Sequence, residues 1–354
     1  MDAEVTMQLG RRLRSNPLLV LGAGILVAAS ITVFAYPVLA RFSSNTETAK
    51  AQWHAAGLQG VLVHSLALGH RHPGLIFAAA HDGIYRQRPN QDWVRVYQSG
   101  DVWSVVLLPD DATVLAADND GYLDVSHDAG NHWQRHKVGS QGAYAVSIVP
   151  GHPRSILAGA GGGVYLSQDG GGHWQRRLSL PQSAPDAFAW MPGSDRTFFL
   201  GAVANAAGIG SGVFISRDAG LTWHPFGHSF NTGGGIMSVA VIPSNRVFGG
   251  TMGHAIWSAT GSIWHRTAGG MPTSNDHVAA IASLPGRPRI MFAGTLGYGI
   301  YRTTDAGHHW TSFSTGLSPS GNPNPVLSLA YDPGRHMLYA GTADGVYTAV
   351  IASP

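Results

Sequence analysis

The chain contains 354 residues, of which 12% are charged, and its formal net charge is +2. So small a net charge argues against a nucleic-acid partner. The absence of cysteine excludes disulfides, thiolate metal sites and cysteine nucleophiles. The 47 glycines indicate many short strands that are joined by tight turns.

The first predicted element is an N-terminal hydrophobic helix. Residues 18–40 carry no charge and follow three arginines at positions 11, 12 and 14. At helical rise, a run of this length can cross a hydrocarbon core of roughly 30 Å. Because basic residues remain on the cytoplasmic side, everything after Arg41 is expected outside the cytoplasm.

The N-terminal region divides into three predicted parts. We predict a short basic cytoplasmic tail at 1–16, a transmembrane anchor or signal peptide at 17–40, and a linker at 41–52. The small residues before position 41 allow cleavage after Ala40, in which case the chain would be secreted. An uncleaved anchor is favoured because the apolar run exceeds the usual length of a signal core.

A short motif, S/T-x-D-x-G-x-x-W, recurs four times in the rest of the chain. Four fixed positions that recur in this way indicate an array of small supersecondary units. The motif residues are Ser126, Asp128, Gly130 and Trp133; Ser167, Asp169, Gly171 and Trp174; Ser216, Asp218, Gly220 and Trp223; and Thr303, Asp305, Gly307 and Trp310.

Tryptophans in register with this motif divide residues 53–354 into seven units. They lie 40 to 49 residues apart, at Trp53, Trp93, Trp133, Trp174, Trp223, Trp264 and Trp310. Each unit has four short apolar or alternating runs separated by Gly, Pro and Asp turns, which predicts a four-stranded antiparallel meander. Seven such meanders around an axis form an all-β, seven-bladed β-propeller. We name the strands of each blade A to D in chain order.

The two ends of the repeat predict how the ring closes. The last unit, residues 326–351, contains strands A, B and C but no D strand, whereas the segment that starts at Trp53 resembles the D strand that starts at Trp310. We therefore predict that this N-terminal strand completes the last blade. Closure of the ring in this way removes exposed sheet edges.

The motif has a structural explanation. Its aspartate can accept hydrogen bonds from the backbone N–H groups of its own turn, its glycine can adopt a left-handed conformation, and its tryptophan can pack between blades. No catalytic role is expected for these aspartates.

These residues resemble the BNR or Asp-box repeat over roughly residues 51–354. Proteins with this repeat include sialidases, other glycoside hydrolases, ten-bladed sortilin-type receptors and exported seven-bladed propellers similar to the photosystem II assembly and stability factor. The last group is the most similar in blade number. The resemblance implies the fold but no particular activity, because one fold hosts unrelated functions.

The turns of a propeller lie on two faces. A-to-B and C-to-D turns share the face that we call the arginine face, because six blades carry arginine in or beside A-to-B turns: Arg71, Arg154, Arg196, Arg246, Arg287, Arg289 and Arg335. We predict Arg154, Arg246, Arg287, Arg289 and Arg335 as partner-binding residues on a face that looks toward the membrane. The alternative is that these arginines are solvated on ordinary turns.

B-to-C turns and D-to-A connections share the opposite face, the loop face, where the longest connections are expected. Its aspartates are Asp82, Asp120 and Asp344 in B-to-C turns and Asp101, Asp186 and Asp276 in D-to-A connections. No arginine is expected on this face, and Tyr122 and Tyr298 are its candidate platforms for a sugar ring. The alternative is that the first three aspartates belong to ordinary Asp-Gly hairpin turns.

Two functions remain open from the sequence. The first is a non-catalytic binding or assembly scaffold for a protein, such as a membrane complex, or for a cell-envelope glycan. The second is a glycoside hydrolase or lyase that acts on a neutral glycan through paired carboxylates about 5 to 10 Å apart, with Asp82, Asp120, Asp344 and Asp101 as candidates. A sialidase is not favoured, because the only glutamates, Glu4 and Glu47, precede the propeller.

The 18 histidines do not indicate a metal site. His81, His228, His254 and His277 are expected near the loop face, but none has the spacing of usual ligand pairs. We therefore predict no metal, no cofactor and a monomer.

Overall fold

The computed structural model describes residues 52–139, 141–181, 183–203, 212–227, 235–272, 277–317 and 324–351. The predicted tail and anchor, residues 41–51 of the predicted linker, and the candidates His228 and Asp276 lie outside these residues. Within the described ranges, no helix is long and apolar enough to cross a membrane.

The described residues form 28 strands in seven antiparallel sheets of four strands each, which confirms the predicted all-β, seven-bladed propeller. Blade 1 contains β2 (Val63–Leu68), β3 (Ile76–Ala80), β4 (Gly83–Gln87) and β5 (Val94–Gln98). Blade 2 contains β6 (Val102–Leu107), β7 (Val114–Asp118), β8 (Tyr122–Ser126) and β9 (Gln134–Lys137). Blade 3 contains β10 (Ala143–Val149), β11 (His152–Ala160), β12 (Gly162–Ser167) and β13 (Gln175–Leu180).

The next three blades have the same order. Blade 4 contains β14 (Ala184–Trp190), β15 (Phe198–Val203), β16 (Gly212–Ser216) and β17 (His224–Pro225). Blade 5 contains β18 (Ile236–Ile242), β19 (Arg246–Thr251), β20 (Ile256–Ala259) and β21 (Trp264–Arg266). Blade 6 contains β22 (Val278–Leu284), β23 (Arg287–Thr295), β24 (Ile300–Thr303) and β25 (Thr311–Ser312).

Blade 7 is built from both ends of the propeller. It contains β26 (Val326–Asp332), β27 (Met337–Thr342), β28 (Gly345–Val350) and, as its D strand, β1 (His54–Ala55). β1 pairs with β28 so that His54 faces Thr348 and Ala55 faces Tyr347. The ring therefore closes as the sequence predicts.

The chain enters this last blade at the rim of the disc. The N–H of Trp53 donates to the carbonyl of Thr315 at 2.8 Å, and Thr315 follows the D strand of blade 6 on its way to the loop face. The predicted direction of the arginine face toward the membrane stays a prediction.

The core lies between neighbouring blades. All five residues of β3 are buried, whereas the D strand β5 is largely exposed. One cluster packs Phe77 of blade 1 against Val105 and Leu107 of blade 2. Burial of a side chain such as Phe77 contributes about 1.5 to 3 kcal/mol relative to exposure, so each blade depends on its neighbour for stability.

Small residues and serine hydroxyls join the inner strands. Ser65 and Ser104 accept hydrogen bonds at 3.3 Å from the N–H groups of Val105 and Val146 in the next blade. These bonds align the inner strands of blades 1, 2 and 3, which determines where the first residues of those strands meet around the axis.

Candidate functional site

Each turn with the S/T-x-D-x-G-x-x-W motif is closed by its own hydrogen bonds. The Asp128 carboxylate accepts from the N–H of His132 at 2.8 Å and from the hydroxyl of Ser126 at 2.9 Å, and the N–H of Gly130 donates to Ser126 Oγ at 2.8 Å. The backbone N–H of His132 is the main cause that holds the pKa of Asp128 below its ordinary value. The hydroxyl-to-carboxylate bond recurs at Asp169, Asp218 and Asp305. These carboxylates are occupied by their own turns.

Glycine is not the only left-handed residue of these turns. Ala129, Ala219 and Ala306, which precede the motif glycines, have φ values of 56°, 61° and 60°. The N–H of Ala129 donates to the carbonyl of Ala112 in the A-to-B turn of the same blade at 2.7 Å. The motif therefore connects the two turns of the arginine face, which the sequence pattern did not reveal.

Four of the seven tryptophans in register with the motif connect neighbouring blades through their indole N–H groups. Trp310 Nε1 donates to the carbonyl of Thr267 in blade 5 at 2.9 Å. Trp53, Trp93 and Trp264 donate in the same way to carbonyls of the preceding blade. Trp133 and Trp223 bond only the glycine carbonyls of their own turns, so the connection between blades differs around the ring.

Some of the predicted binding arginines are exposed on the arginine face, whereas another is hydrogen-bonded within the protein. Arg154, Arg289 and Arg335 are exposed residues. Arg246 instead donates through Nη2 to Ser258 Oγ at 2.8 Å and through Nη1 to the carbonyl of Ala306 at 2.9 Å. Its guanidinium therefore holds blades 5 and 6 together.

The arginine face also carries carboxylates, so its charge is mixed. Asp111 accepts the N–H groups of His70, Arg71 and His72 in the neighbouring blade at 2.6 to 2.8 Å. Asp332 accepts the N–H of Arg335 at 3.0 Å. Positive charge is therefore concentrated at particular arginines and is not uniform over the face.

A cavity of about 70 Å³ opens on the arginine face between the A strands of blades 4, 5 and 6. It is lined mainly by apolar groups, among them Trp190, Pro192, Pro243, Pro285 and Pro288. Pro288 stands between Arg287 and Arg289 in the sequence, so two of the predicted binding arginines are chain neighbours of a residue that lines the cavity.

The aspartates predicted for the loop face have separate partners. Asp82 accepts from Tyr85 Oη at 2.8 Å and from Arg95 Nη1 at 3.0 Å. Asp101 Oδ1 lies 2.8 Å from His64 Nε2. Asp344 accepts from the backbone N–H of Gly60 at 2.7 Å, and Asp120 Oδ2 lies 3.7 Å from Arg135 Nη2. Among the described residues, no two of these four carboxylates share a partner.

The prediction that the loop face carries no arginine was wrong. Arg95 and Arg135 lie on D strands, and their side chains extend to Asp82 and Asp120 in the B-to-C turns. The guanidinium of Arg135 and the ammonium of Lys137 also cover the ring of Tyr122, each 4.1 Å from its centroid. The proposed sugar platform at Tyr122 is therefore occupied, while Tyr298 remains exposed.

Arg135 also belongs to a buried network between blades 1 and 2. It forms an ion pair with Asp118, and Tyr97 Oη donates to Asp124 Oδ1 at 3.0 Å. Burial is the main cause that raises the pKa of Asp124 to about 6 and the pKa of Tyr97 to about 12. Because Asp124 is fully buried, this network holds two blades together and is not accessible to a substrate.

The innermost strands share a feature that the repeat analysis missed. All seven A strands have a β-bulge at their second or third residue, and the seven unpaired residues are His64, Trp103, Tyr144, Asp186, Met237, Ala279 and Leu327. A bulge redirects the side chain of the extra residue. Asp186 therefore belongs to strand β14, which corrects its predicted place in a D-to-A connection.

Four of these residues form a continuous polar arc from blade 1 to blade 4, which we call the axial arc: His64, Trp103, Tyr144 and Asp186. The rings of His64 and Trp103 stack with centroids 4.6 Å apart, and those of Trp103 and Tyr144 meet edge to face at 6.1 Å. Asp186 is near enough to Tyr144 to contribute to its raised pKa, after burial. The predicted residue Asp101 joins the arc through His64.

The axial arc contains buried polar atoms that have no hydrogen-bond partner among the described residues. These atoms are His64 Nδ1, Trp103 Nε1 and both carboxylate oxygens of Asp186. Burial raises the pKa of Asp186 well above its ordinary value. Each unsatisfied buried group costs about 1 to 3 kcal/mol, so the protein maintains this arc at the expense of stability.

A sequence signal for the arc exists in retrospect. The bulge residue varies widely in size and polarity, but the residue after it is always Ser or Ala, at Ser65, Ser104, Ala145, Ala187, Ser238, Ala280 and Ser328. Near the start of every A strand, a variable residue is therefore followed by Ser or Ala. This pattern marks the positions of the seven bulges in the sequence.

No metal site is found among the described residues. His254 and His277 are near enough to interact, because burial and then the charge of His254 lower the pKa of His277. A third ligand is not present beside them in the described part of the chain.

The fold and its turns define a seven-bladed β-propeller in which four blades carry the S/T-x-D-x-G-x-x-W turn. No protein-family model matches the sequence. No curated protein matches it either.

Solved structures match the fold at low sequence identity. A GH74 xyloglucanase from Xanthomonas campestris is 18% identical with a TM-score of 0.67, and the match covers 86% of this chain and 55% of that chain. YCF48 from Cyanidioschyzon merolae is 13% identical with a TM-score of 0.63, over 85% of this chain and 98% of that chain. YCF48 bound to D1 peptide is 12% identical with a TM-score of 0.63, over 90% and 98%. The chain thus spans about half the length of the xyloglucanase.

Proposed function

We propose that this chain is a membrane-anchored scaffold outside the cytoplasm that binds a segment of a protein partner, without catalysis, through its arginine face. The observation that carries the proposal is the apolar cavity of about 70 Å³, whose lining residue Pro288 stands between Arg287 and Arg289 in the sequence. A protein ligand also agrees with a structural neighbour of similar length, YCF48, which has been solved with a D1 peptide.

The chemistry of this surface suits a segment with both apolar and acidic side chains. Proline rings and Trp190 provide an apolar wall. Arg289 and Arg335 are exposed, and a guanidinium can pair with a carboxylate through two parallel hydrogen bonds. Arg154 lies farther around the same face, and Arg246 contributes by supporting the turns.

The membrane attachment is part of the proposal. The uncharged run at 18–40 would anchor the chain, and the linker at 41–52 would place the propeller within about 40 Å of the membrane surface, since extended residues span at most ~3.3 to 3.6 Å each. The extramembrane part of a membrane complex is then the nearest partner. Cleavage after Ala40 would instead release the propeller, and its partner would be a cell-envelope protein.

Hydrolysis of a glycan is the less favoured alternative. A retaining or inverting glycosidase needs two carboxylates that face one bond. Asp82, Asp101 and Asp120 each interact with a different basic or imidazole side chain. The likeness to a xyloglucanase concerns the fold.

Affinity capture from detergent-solubilised membranes of the native host tests the scaffold. The full chain is expected to recover one membrane protein stably. The triple variant Arg287→Ala, Arg289→Ala, Arg335→Ala should reduce the recovery at least tenfold, because it removes three cations of the arginine face, two of which adjoin Pro288 of the cavity lining in the sequence.

The matched control removes the same charge elsewhere. Arg95, Arg176 and Arg266 are exposed residues on D strands, outside the turns of the arginine face, and their triple alanine variant should recover the partner normally. Equal loss with both variants would indicate a general effect of net charge and would contradict the proposal. Release of reducing sugar from xyloglucan, abolished by Asp82→Asn or Asp120→Asn, would establish the hydrolase instead.

A further inference from the structure

The axial arc is separate from the arginine-face cavity. It lies at the first residues of the A strands of blades 1 to 4, on the side of the loop face, whereas the cavity adjoins the A-to-B turns of blades 4 to 6. The partner binding proposed above does not use the arc. Its buried polar atoms without partners are therefore unexplained by that function.

We propose that the axial arc binds a cationic nitrogen group on an aliphatic stem, such as the ammonium of a lysine side chain or the guanidinium of an arginine side chain.

The hydrogen-bond inventory of the arc indicates a donor-rich ligand. Asp186 offers two acceptor oxygens that receive no hydrogen bond from the described residues. His64 Nε2 lies 2.8 Å from the Asp101 carboxylate, and in a neutral imidazole that donates to this carboxylate through Nε2, Nδ1 is an acceptor. Beside these acceptors, Trp103 Nε1 is a free donor, and the hydroxyl of Tyr144 can both donate and accept. A group with several N–H donors matches this set.

The charge of the arc also favours a cation. Asp186 is buried at 1% exposure, and among the described residues no Arg or Lys forms an ion pair with it. A buried carboxylate without a counterion is unfavourable in its charged form. A ligand cation would supply the missing charge, and the rings of Trp103 and Tyr144 can add cation–π attraction.

The remainder of the ring suits an aliphatic stem. The bulge residues of blades 5 to 7, Met237, Ala279 and Leu327, are buried in one apolar cluster. A lysine or arginine side chain carries three or four methylene groups that pack on apolar surface while the head group is bonded elsewhere. A ring that is polar over four blades and apolar over three matches such an amphipathic side chain.

Binding can be measured on the full chain in detergent. The probes are N-acetyl-arginine amide and N-acetyl-lysine amide, with N-acetyl-citrulline amide as the neutral analogue of the arginine probe. The readouts are the indole N–H resonance of Trp103, assigned through Trp103→Phe, and isothermal titration calorimetry. At least one cation should bind saturably and shift this resonance, and the neutral analogue should bind at least tenfold more weakly. The stronger cation identifies the preferred head group.

Two further measurements decide the role of the carboxylate. Asp186→Asn keeps the shape of the side chain and should weaken cation binding at least tenfold, whereas Asp195→Asn, an exposed residue of the same blade, should leave it unchanged. In the wild-type chain, calorimetry in buffers of different ionisation enthalpy should show proton release as the cation binds. Equal affinity for the neutral analogue, undiminished binding by Asp186→Asn, binding without proton release, or no saturable response to either cation would overturn the proposal.

Discussion

Replacement of Asp186 by asparagine should change how the stability of the propeller depends on pH. Asp186 has 1% of its surface exposed and accepts no hydrogen bond from the described residues. Burial therefore raises its pKa in the folded state well above the ordinary value. Asparagine has nearly the same shape and does not titrate, so the comparison isolates the cost of the charge.

The sign of the effect follows from proton linkage. A group whose folded pKa lies above its unfolded value of about 3.9 contributes stability that is complete below the unfolded pKa and is lost as pH rises to the folded pKa. Over that window, the free energy of unfolding of the wild type should fall by about 1.4 kcal/mol per pH unit relative to the variant. Between pH 5 and pH 7, the difference should therefore grow by up to about 2.7 kcal/mol. Tyr144 does not alter this slope, because its pKa is also raised and it stays protonated in this range.

Urea unfolding, followed by tryptophan fluorescence at pH 5 and pH 7 at one ionic strength, measures this difference. Asp195→Asn, in an exposed turn of the same blade, is the matched control and should change the free energy of unfolding within about 0.5 kcal/mol at both pH values. A difference between Asp186→Asn and wild type that does not vary with pH would show that the carboxyl is solvated or paired, and would refute the description of the axial arc as an unpaired buried site.

Three other predictions concern contacts between blades. In urea titrations, Trp310→Phe should lower the free energy of unfolding by about 1 to 3 kcal/mol more than Trp174→Phe. The reason is that the indole N–H of Trp310 donates to the neighbouring blade, whereas that of Trp174 has no partner among the described residues. Equal losses would contradict the bonding role. Trp53→Ala should cost about 3 to 5 kcal/mol and loosen the closing strand, seen as faster amide exchange in blade 7; unchanged exchange there would argue against that closure. Tyr97→Phe should raise the pKa of Asp124 above about 6, because it removes a hydrogen bond that favours the carboxylate. NMR titration of the Asp124 carboxyl resonance measures the shift, and an unchanged or lower pKa would contradict this role of Tyr97.

The architecture was predictable from local features of the chain. Each blade is a set of hairpins whose strands lie next to one another in sequence, so turn residues and apolar runs define it without distant information. The spacing of tryptophans from Trp53 to Trp310 gives seven units, and the incomplete last unit indicates closure by the N-terminal strand. β1 pairs with β28 as this predicts.

The functional surfaces were less predictable, because a position in a turn does not define the reach or the burial of a side chain. Arg95 and Arg135 lie on D strands in the sequence, yet their guanidinium groups extend to aspartates of the B-to-C turns. Arg246 lies at an A-to-B turn, as expected, but its guanidinium is used between two blades.

The sequence by itself determined the number of blades, their strand order and the ring closure, since these depend on hairpins and on a repeat that is readable along the chain. Only the tertiary structure brought His64, Trp103, Tyr144 and Asp186 together. These residues are about 40 positions apart in the chain, and they become neighbours because equivalent bulges of successive blades meet around one axis. The burial of these four side chains and their contacts with one another depend on the closed ring of blades, which the sequence of a single repeat does not contain.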